Sequence, residues 1–234
     1  MKQSSLFILV FSIAFALFFF GPPLLSKQFG FYPLMKIGDL FDVFTPLVLI
    51  PLYWLLFRLN GGKAPDLKEN LIFLLLAAFW VEGQGMHLSA NSIGHFLKGT
   101  EGSDIYNLSH FYDEVLSHYL WHFGVIGLSA LILWRQWRNP SGKDDAGMWP
   151  LILAGVVYGF SFFVIVIEGG TAPLGIPFAI LIAVLGWILG RKGMRQQPLI
   201  TFFLIGYSVA TLFFIGWGIY WGGLPEFSQV GIID

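Results

Sequence analysis

All five histidines of this 234-residue chain fall between positions 87 and 122: His87, His95, His110, His118 and His122. Glu82, Asn91, Ser92, Asp113, Glu114 and Ser117 lie among or beside them. Imidazoles and carboxylates are the groups that move protons near neutral pH and hold divalent metals. His118 and His122 are four residues apart, so on one helix both can reach a single ion. A third ligand from His87, with water in the fourth position, would make a catalytic zinc site. The ion would lower the water's pKa toward about 7, and a carboxylate would take its proton. Glu114, one turn before His118, is placed for that role, and His95 is a further ligand candidate. The chain has no cysteine, which excludes disulfides, thiolate metal sites, iron–sulfur clusters and cysteine nucleophiles.

These polar groups sit in an apolar chain. Hydrophobic residues make up 56 % and charged residues 12 % of it, with mean hydropathy +0.72. An ordinary soluble domain carries about 25 % charged residues, so an integral membrane protein is expected, surrounded by membrane lipids. Net charge is −1, which gives no basis for nucleic-acid binding. Seven apolar runs are visible, near residues 5–25, 41–57, 70–96, 108–133, 149–168, 174–189 and 199–221. Crossing about 30 Å of hydrocarbon takes roughly 20 helical residues, so the fold expected is a single bundle of about seven transmembrane helices. The first run follows Lys2, ends in Gly21-Pro22-Pro23 and has no small-x-small cleavage pattern, so it reads as a retained helix. Pro46 and Pro51 should bend the second.

Lysines and arginines set the orientation. With seven crossings, ten of them flank one side: Lys2, Arg58, Lys63, Lys68, Arg135, Arg138, Lys143, Arg191, Lys192 and Arg195. Only Lys27, Lys36 and Lys98 flank the other. By the positive-inside rule the N-terminus is cytoplasmic and the C-terminus outside. The histidine stretch then faces the external side of a plasma membrane, that of a prokaryote. Asp42 begins its run and Glu168 ends its run at the same depth.

At about 100° per residue, Gln84, His87, Asn91 and His95 share an arc of about 80°, with Ser92 at its edge. His110, Glu114, His118 and His122 form a second stripe, joined by Ser117. Two adjacent helices could turn these stripes toward each other. On ideal helices Glu82 and Asp113 point away. They join the site only if Gly83 and Gly85 distort their helix or if other helices meet them, Asp42 and Glu168 being the partners expected. Any one histidine would read as an interhelical hydrogen-bonding group. Five, clustered with acids at membrane depth, read as a functional site.

A multi-spanning chain with His118-Tyr-Leu-Trp-His122, a further helix-borne His87, and Asp113, Glu114, Ser92 and Ser117 nearby resembles the superfamily of alkaline ceramidases and adiponectin-type receptors. That resemblance implies seven helices, a zinc ion on His87, His118 and His122, an acidic role for Asp113 or Glu114, and hydrolysis of a lipid amide. In that superfamily the paired histidines lie on the seventh helix; here they lie on the fourth. The residues leave other chemistries open. Mixed Glu and His ligands also suit two irons or copper, and two facing histidines suit haem. A proton or metal-ion carrier would need polar groups through the other half of the membrane, where residues 72–79 and most of 125–133 are apolar.

Overall fold

A computed structural model describes residues 3–31, 35–59, 63–97, 99–140, 147–189 and 196–232, apart from the side chains of Pro23 and His95. Lys2, Gly61, Gly62, Lys98, Lys143, Gly190, Arg191, Lys192 and Arg195 lie outside the described residues. Seven helices follow one another among the described residues: α1 Gln3–Leu24, α2 Ile37–Arg58, α3 Leu67–Gly94, α4 Asp104–Arg138, α5 Met148–Glu168, α6 Ala172–Leu189 and α7 Pro198–Trp221. All but α6 are long and apolar enough to cross a bilayer, and α6 is a shorter apolar helix. The chain is an all-α, multi-pass membrane protein.

Several helices begin three or four residues before the apolar runs do, because polar caps start them. Asp66 and Glu69 form a reciprocal box at the start of α3: Asp66 N donates to Glu69 Oε2 (3.0 Å) and Glu69 N to Asp66 Oδ1 (2.8 Å). Ser103 caps α4 by accepting from Tyr106 N. Asp39 Oδ2 accepts from Lys36 N at the start of α2. α2 is continuous through Pro46 and Pro51.

α3 and α4 run antiparallel and almost touch at the backbone. A methyl group on Gly83 would lie 2.5 Å from Trp121 N and 2.6 Å from Ser117 O. One on Gly124 would lie 2.8 Å from Leu76 O. Small residues let membrane helices approach this closely. Gly83 is therefore a packing glycine and not the source of a distortion, while Gly85 faces open space. Gly155, Gly159 and Gly186 serve similar close contacts elsewhere.

The core is aromatic, with Phe11, Phe15, Tyr53, Trp80, Tyr158, Phe202 and Tyr207 fully buried. At its centre four hydroxyls from four helices meet. Tyr158 Oη lies 3.1 Å from each of Tyr53 Oη, Ser129 Oγ and Tyr207 Oη. At the arginine end of the bundle, buried Arg135 pairs with Glu69, donates to Lys63 O and lies 5.1 Å from the Phe57 ring centre. Gln136 Oε1 there accepts from Ile200 N at the start of α7. Residues 72–79 are apolar as read, and the polar groups at the centre and at the arginine end, drawn from α2, α3, α4, α5 and α7, pair across helices as interhelical links.

α4 runs 35 residues and α5 only 21, a difference of about 20 Å at 1.5 Å per residue. The end of α5 meets α4 at His118 and His122, so the first turns of α4 project past it. Those turns are not uniformly α-helical. Residues Phe111–Ser117 form a π-helix within α4.

Candidate functional site

The π-helix decides where the acids go. Its i→i+5 hydrogen bonds put more residues in each turn than the 3.6 of an α-helix, so each residue advances by less than 100°. Asp113, expected to point away, is carried onto the face that α3 covers. It is buried, and its Oδ1 lies 2.8 Å from His87 Nδ1. The contact is at ion-pair distance, although neither atom completes a hydrogen bond of good geometry. Ser117 Oγ donates to Asp113 O within the same turn. Glu114, expected on the inner stripe, is instead half-exposed, its Oε2 3.9 Å from His118 Nδ1.

Three imidazoles follow in a row. The ring centres of His87 and His118 are 4.8 Å apart, and those of His118 and His122 are 6.3 Å apart. His122 is fully buried, with its ring 3.6 Å from that of Trp121. Its Nδ1 lies 2.9 Å from Thr171 Oγ1. The turn after α5 forms the opposite wall. Gly170 takes φ +59°, a left-handed conformation that favours glycine. Gly169 presses on the rings: a methyl group there would lie 2.7 Å from His122 Cε1 and 3.5 Å from His118 Cγ.

The remaining expected residues divide. Asn91 and His110 line a cleft of about 340 Å3 with Glu101, Tyr106, Ser109, Asp113 and Glu114. Asp42 Oδ1 accepts from Gln84 Nε2 at 3.4 Å, one turn from His87 on α3. Glu168 Oε2 accepts from Phe227 N (2.8 Å) and Ser228 N (3.4 Å), so it ties the C-terminal tail down rather than entering the cluster. Ser92 Oγ turns back to Leu88 O on its own helix. Glu82 is exposed and joins none of these groups. His95 lies in a 3-10 turn after α3, and its side chain is outside the described residues.

Thr171, Gly169, Tyr106, Glu101 and Glu226 were not singled out by the histidine pattern. Nothing in the sequence paired Thr171 with His122. Glu226 reaches the site because the tail folds back, with Trp217 Nε1 donating to Pro225 O at 2.9 Å and Phe227 packed on Phe163 and Trp217. Its carboxyl is pushed up by burial, then by the charge of Glu168. Glu101, fully exposed, is held below the usual carboxylate range by the Gly99 N–H that it accepts at 2.8 Å.

The three-histidine zinc centre expected from spacing does not assemble around one point. Among the described residues no three His, Asp or Glu side chains stand together closely enough to hold an ion. His87 and His122 each commit Nδ1 elsewhere, to Asp113 and Thr171. His122 Nε2 and His118 Nδ1 are left buried without hydrogen-bond partners. The chain matches no protein-family model, no curated protein and no solved structure.

Proposed function

We propose that the chain is a membrane-embedded hydrolase of a lipid or other amphipathic substrate, with His87, Asp113 and Glu114 as its acid–base groups. The observation that carries this reading is the His87–Asp113 contact, 2.8 Å long, beside a polar cleft that Asp113 itself lines. A carboxylate against one ring nitrogen orients an imidazole and stabilises its charged form, leaving the other nitrogen to accept a proton. In the proposed reaction that nitrogen takes a proton from water as its oxygen attacks the acyl carbon. The bond to the leaving amine or alkoxide then breaks, and protonated Glu114 delivers a proton to that group. Ser117, Thr171 and Gly169 act indirectly, by holding Asp113 and His122 in place.

His87, His118 and His122 are the side chains that would hold zinc, each offering a ring nitrogen, and the metal would supply a Lewis acid and an acidified water. The donor types fit zinc and the arrangement around one point does not, so the proton transfers above run through side chains alone. The lysine and arginine asymmetry supports a cytoplasmic N-terminus, α6 as a seventh crossing and a site facing outward.

The test is hydrolysis of amide- and ester-linked amphiphiles by protein purified in dodecyl maltoside, with elemental analysis and a visible spectrum of the same sample. His87→Ala and Asp113→Asn should each lower turnover about 100-fold or more, as loss of a general acid–base group does. Turnover unchanged in both variants would refute the assignment. A bound zinc lost in His118→Ala and His122→Ala would add the metal. A coloured sample would move the site to iron, copper or haem chemistry.

A further inference from the structure

We propose that residues 225–228 are a latch that clamps the Gly169–Thr171 turn over His118 and His122, and that its release opens these imidazoles to solvent and substrate. The latch rests on the hydrolase reading for its purpose; its test reads access to the histidines and needs no hydrolysis. Both rings are enclosed, His122 fully and His118 with 6 % exposed. His122 Nε2 and His118 Nδ1 are nonetheless buried with no hydrogen-bond partner. A buried polar atom without a partner costs free energy that an incoming polar group recovers, which favours an opened state with substrate in place. Two walls of the enclosure differ in how they are held. On the α3 side the backbones meet, and a methyl group on Gly83 would lie 2.5 Å from Trp121 N. Parting those helices means unpacking the bundle. The other wall is a three-residue turn of Gly169, Gly170 and Thr171.

The inner surface of that turn meets the rings, through the 2.9 Å contact of Thr171 with His122 and through Gly169 against both imidazoles. Its outer surface meets the tail: a methyl group on Gly170 would lie 3.3 Å from Glu226 Oε1. The turn is bonded within itself, Thr171 N to Val166 O at 3.1 Å and Gly170 N to Ile167 O at 3.2 Å. It therefore moves as one piece with the ends of α5 and α6, and what lies outside it decides whether it stays shut. The clasp there is small. Glu168, the last residue of α5, accepts from Phe227 N and Ser228 N. Trp217 Nε1 on α7 donates to Pro225 O. The Phe227 ring stands edge-on to Phe163 at 5.7 Å and lies 4.7 Å from Trp217. One carboxylate, one indole and one phenyl ring thus join α5, α7 and the tail beside the turn. A segment held by so few bonds at the end of a bundle opens at a fraction of the global unfolding free energy. Lids that close over reacting groups are of this kind.

Diethyl pyrocarbonate, which acylates accessible imidazole nitrogens, is applied to the protein in dodecyl maltoside, and the modified peptides are resolved by mass spectrometry. Exposed His110 is the internal reference. In the unaltered chain His122 should react far more slowly than His110. Glu168→Ala removes the acceptor of two main-chain N–H groups. It should speed His122, relative to His110, about tenfold or more, as loss of a hydrogen bond to a charged group does to an opening equilibrium. Trp217→Phe, which keeps a ring against Phe227, should speed it about two- to tenfold. Glu168→Gln retains an acceptor and should fall between Glu168→Ala and the unaltered chain. Tyr158→Phe loosens the centre of the bundle, about 15 Å along α5 from Glu168, and should leave the reactivity of His122 unchanged. Unchanged reactivity in both Glu168→Ala and Trp217→Phe, or equal acceleration by Tyr158→Phe, would overturn the latch. So would a wild-type His122 that reacts as fast as His110, because the rings would then be uncovered. Release of His122 in a chain that hydrolyses no amphiphile would leave the latch standing and remove the hydrolase. Unchanged His122 reactivity in a chain whose turnover needs His87 would do the reverse.

Discussion

Replacing Gly83 by alanine tests whether the α3–α4 contact sets the site. The added methyl would stand 2.5 Å from Trp121 N and 2.6 Å from Ser117 O, where 3.4 Å is an ordinary contact. The shortfall is about 0.9 Å against backbone atoms, which cannot turn aside as a side-chain tip can. The two helices must therefore part by roughly that distance. Overpacking of this kind costs about 1–3 kcal/mol. His87 lies one turn along α3 from Gly83, so the same displacement opens the 2.8 Å contact with Asp113. A misplacement of about 1 Å at reacting groups costs about 100-fold in rate. Gly85→Ala is the internal control, because nothing lies within 4 Å of its new methyl. It should be neutral or stabilise by up to about 1 kcal/mol, the helix preference of alanine over glycine. The assays are unfolding of both variants in mixed micelles, followed by tryptophan fluorescence, and hydrolysis of the best substrate. If Gly83→Ala matches Gly85→Ala in stability and rate, the close approach of α3 and α4 is wrong, and with it the placing of His87 against Asp113.

Three further outcomes follow from other parts of the bundle. Tyr158→Phe keeps the ring but takes a partner from Tyr53, Ser129 and Tyr207; unfolding in mixed micelles should show a loss of about 1–3 kcal/mol. Arg135→Met strands buried Glu69 and should cost about 3–5 kcal/mol. Adding Glu69→Gln, which keeps an acceptor for Asp66 N, should recover more than half of that loss in the same assay. Deleting Val115, exposed within the π-helix, should be tolerated, because it removes the extra residue of the turn while Asp113 stays on the face of His118. If α4 were regular there, the deletion would swing Asp113 by about 100°, and the loss of folded protein or of activity would refute the π-helix.

The helices were legible in the sequence because hydrocarbon demands long apolar runs and this chain supplies them. Their starts were not, since Asp66, Glu69 and Ser103 are polar residues that open helices rather than separate them. Some of the side chains that gather were legible for a related reason. Imidazoles and carboxylates are costly at membrane depth, so His87, His118, His122 and Asp42 announced themselves by type alone. Their pairing was hidden, because it depends on elements distant in sequence. Thr171 meets His122 only through the turn that follows α5, and Glu226 arrives on a tail that Glu168 ties back.

Asp113 shows why spacing alone misassigned the carboxylates. A regular helix over residues 110–122 puts Glu114 inward with His118 and turns Asp113 away. One π-helical segment reverses the pair: Asp113 is buried against His87, and Glu114 is left at the edge of the cleft. A π-helix is costly relative to an α-helix and needs compensation from its surroundings. Here the compensation is visible in what the segment touches. Ser117 donates to the Asp113 carbonyl inside the turn, and His87 receives the carboxylate across it. Both acids line the cleft, but Asp113 is buried beside an imidazole and Glu114 is half-exposed. Asp113 is thereby set against His87 and Glu114 left reaching the cleft, and an unbroken α-helix would not have separated them in this way.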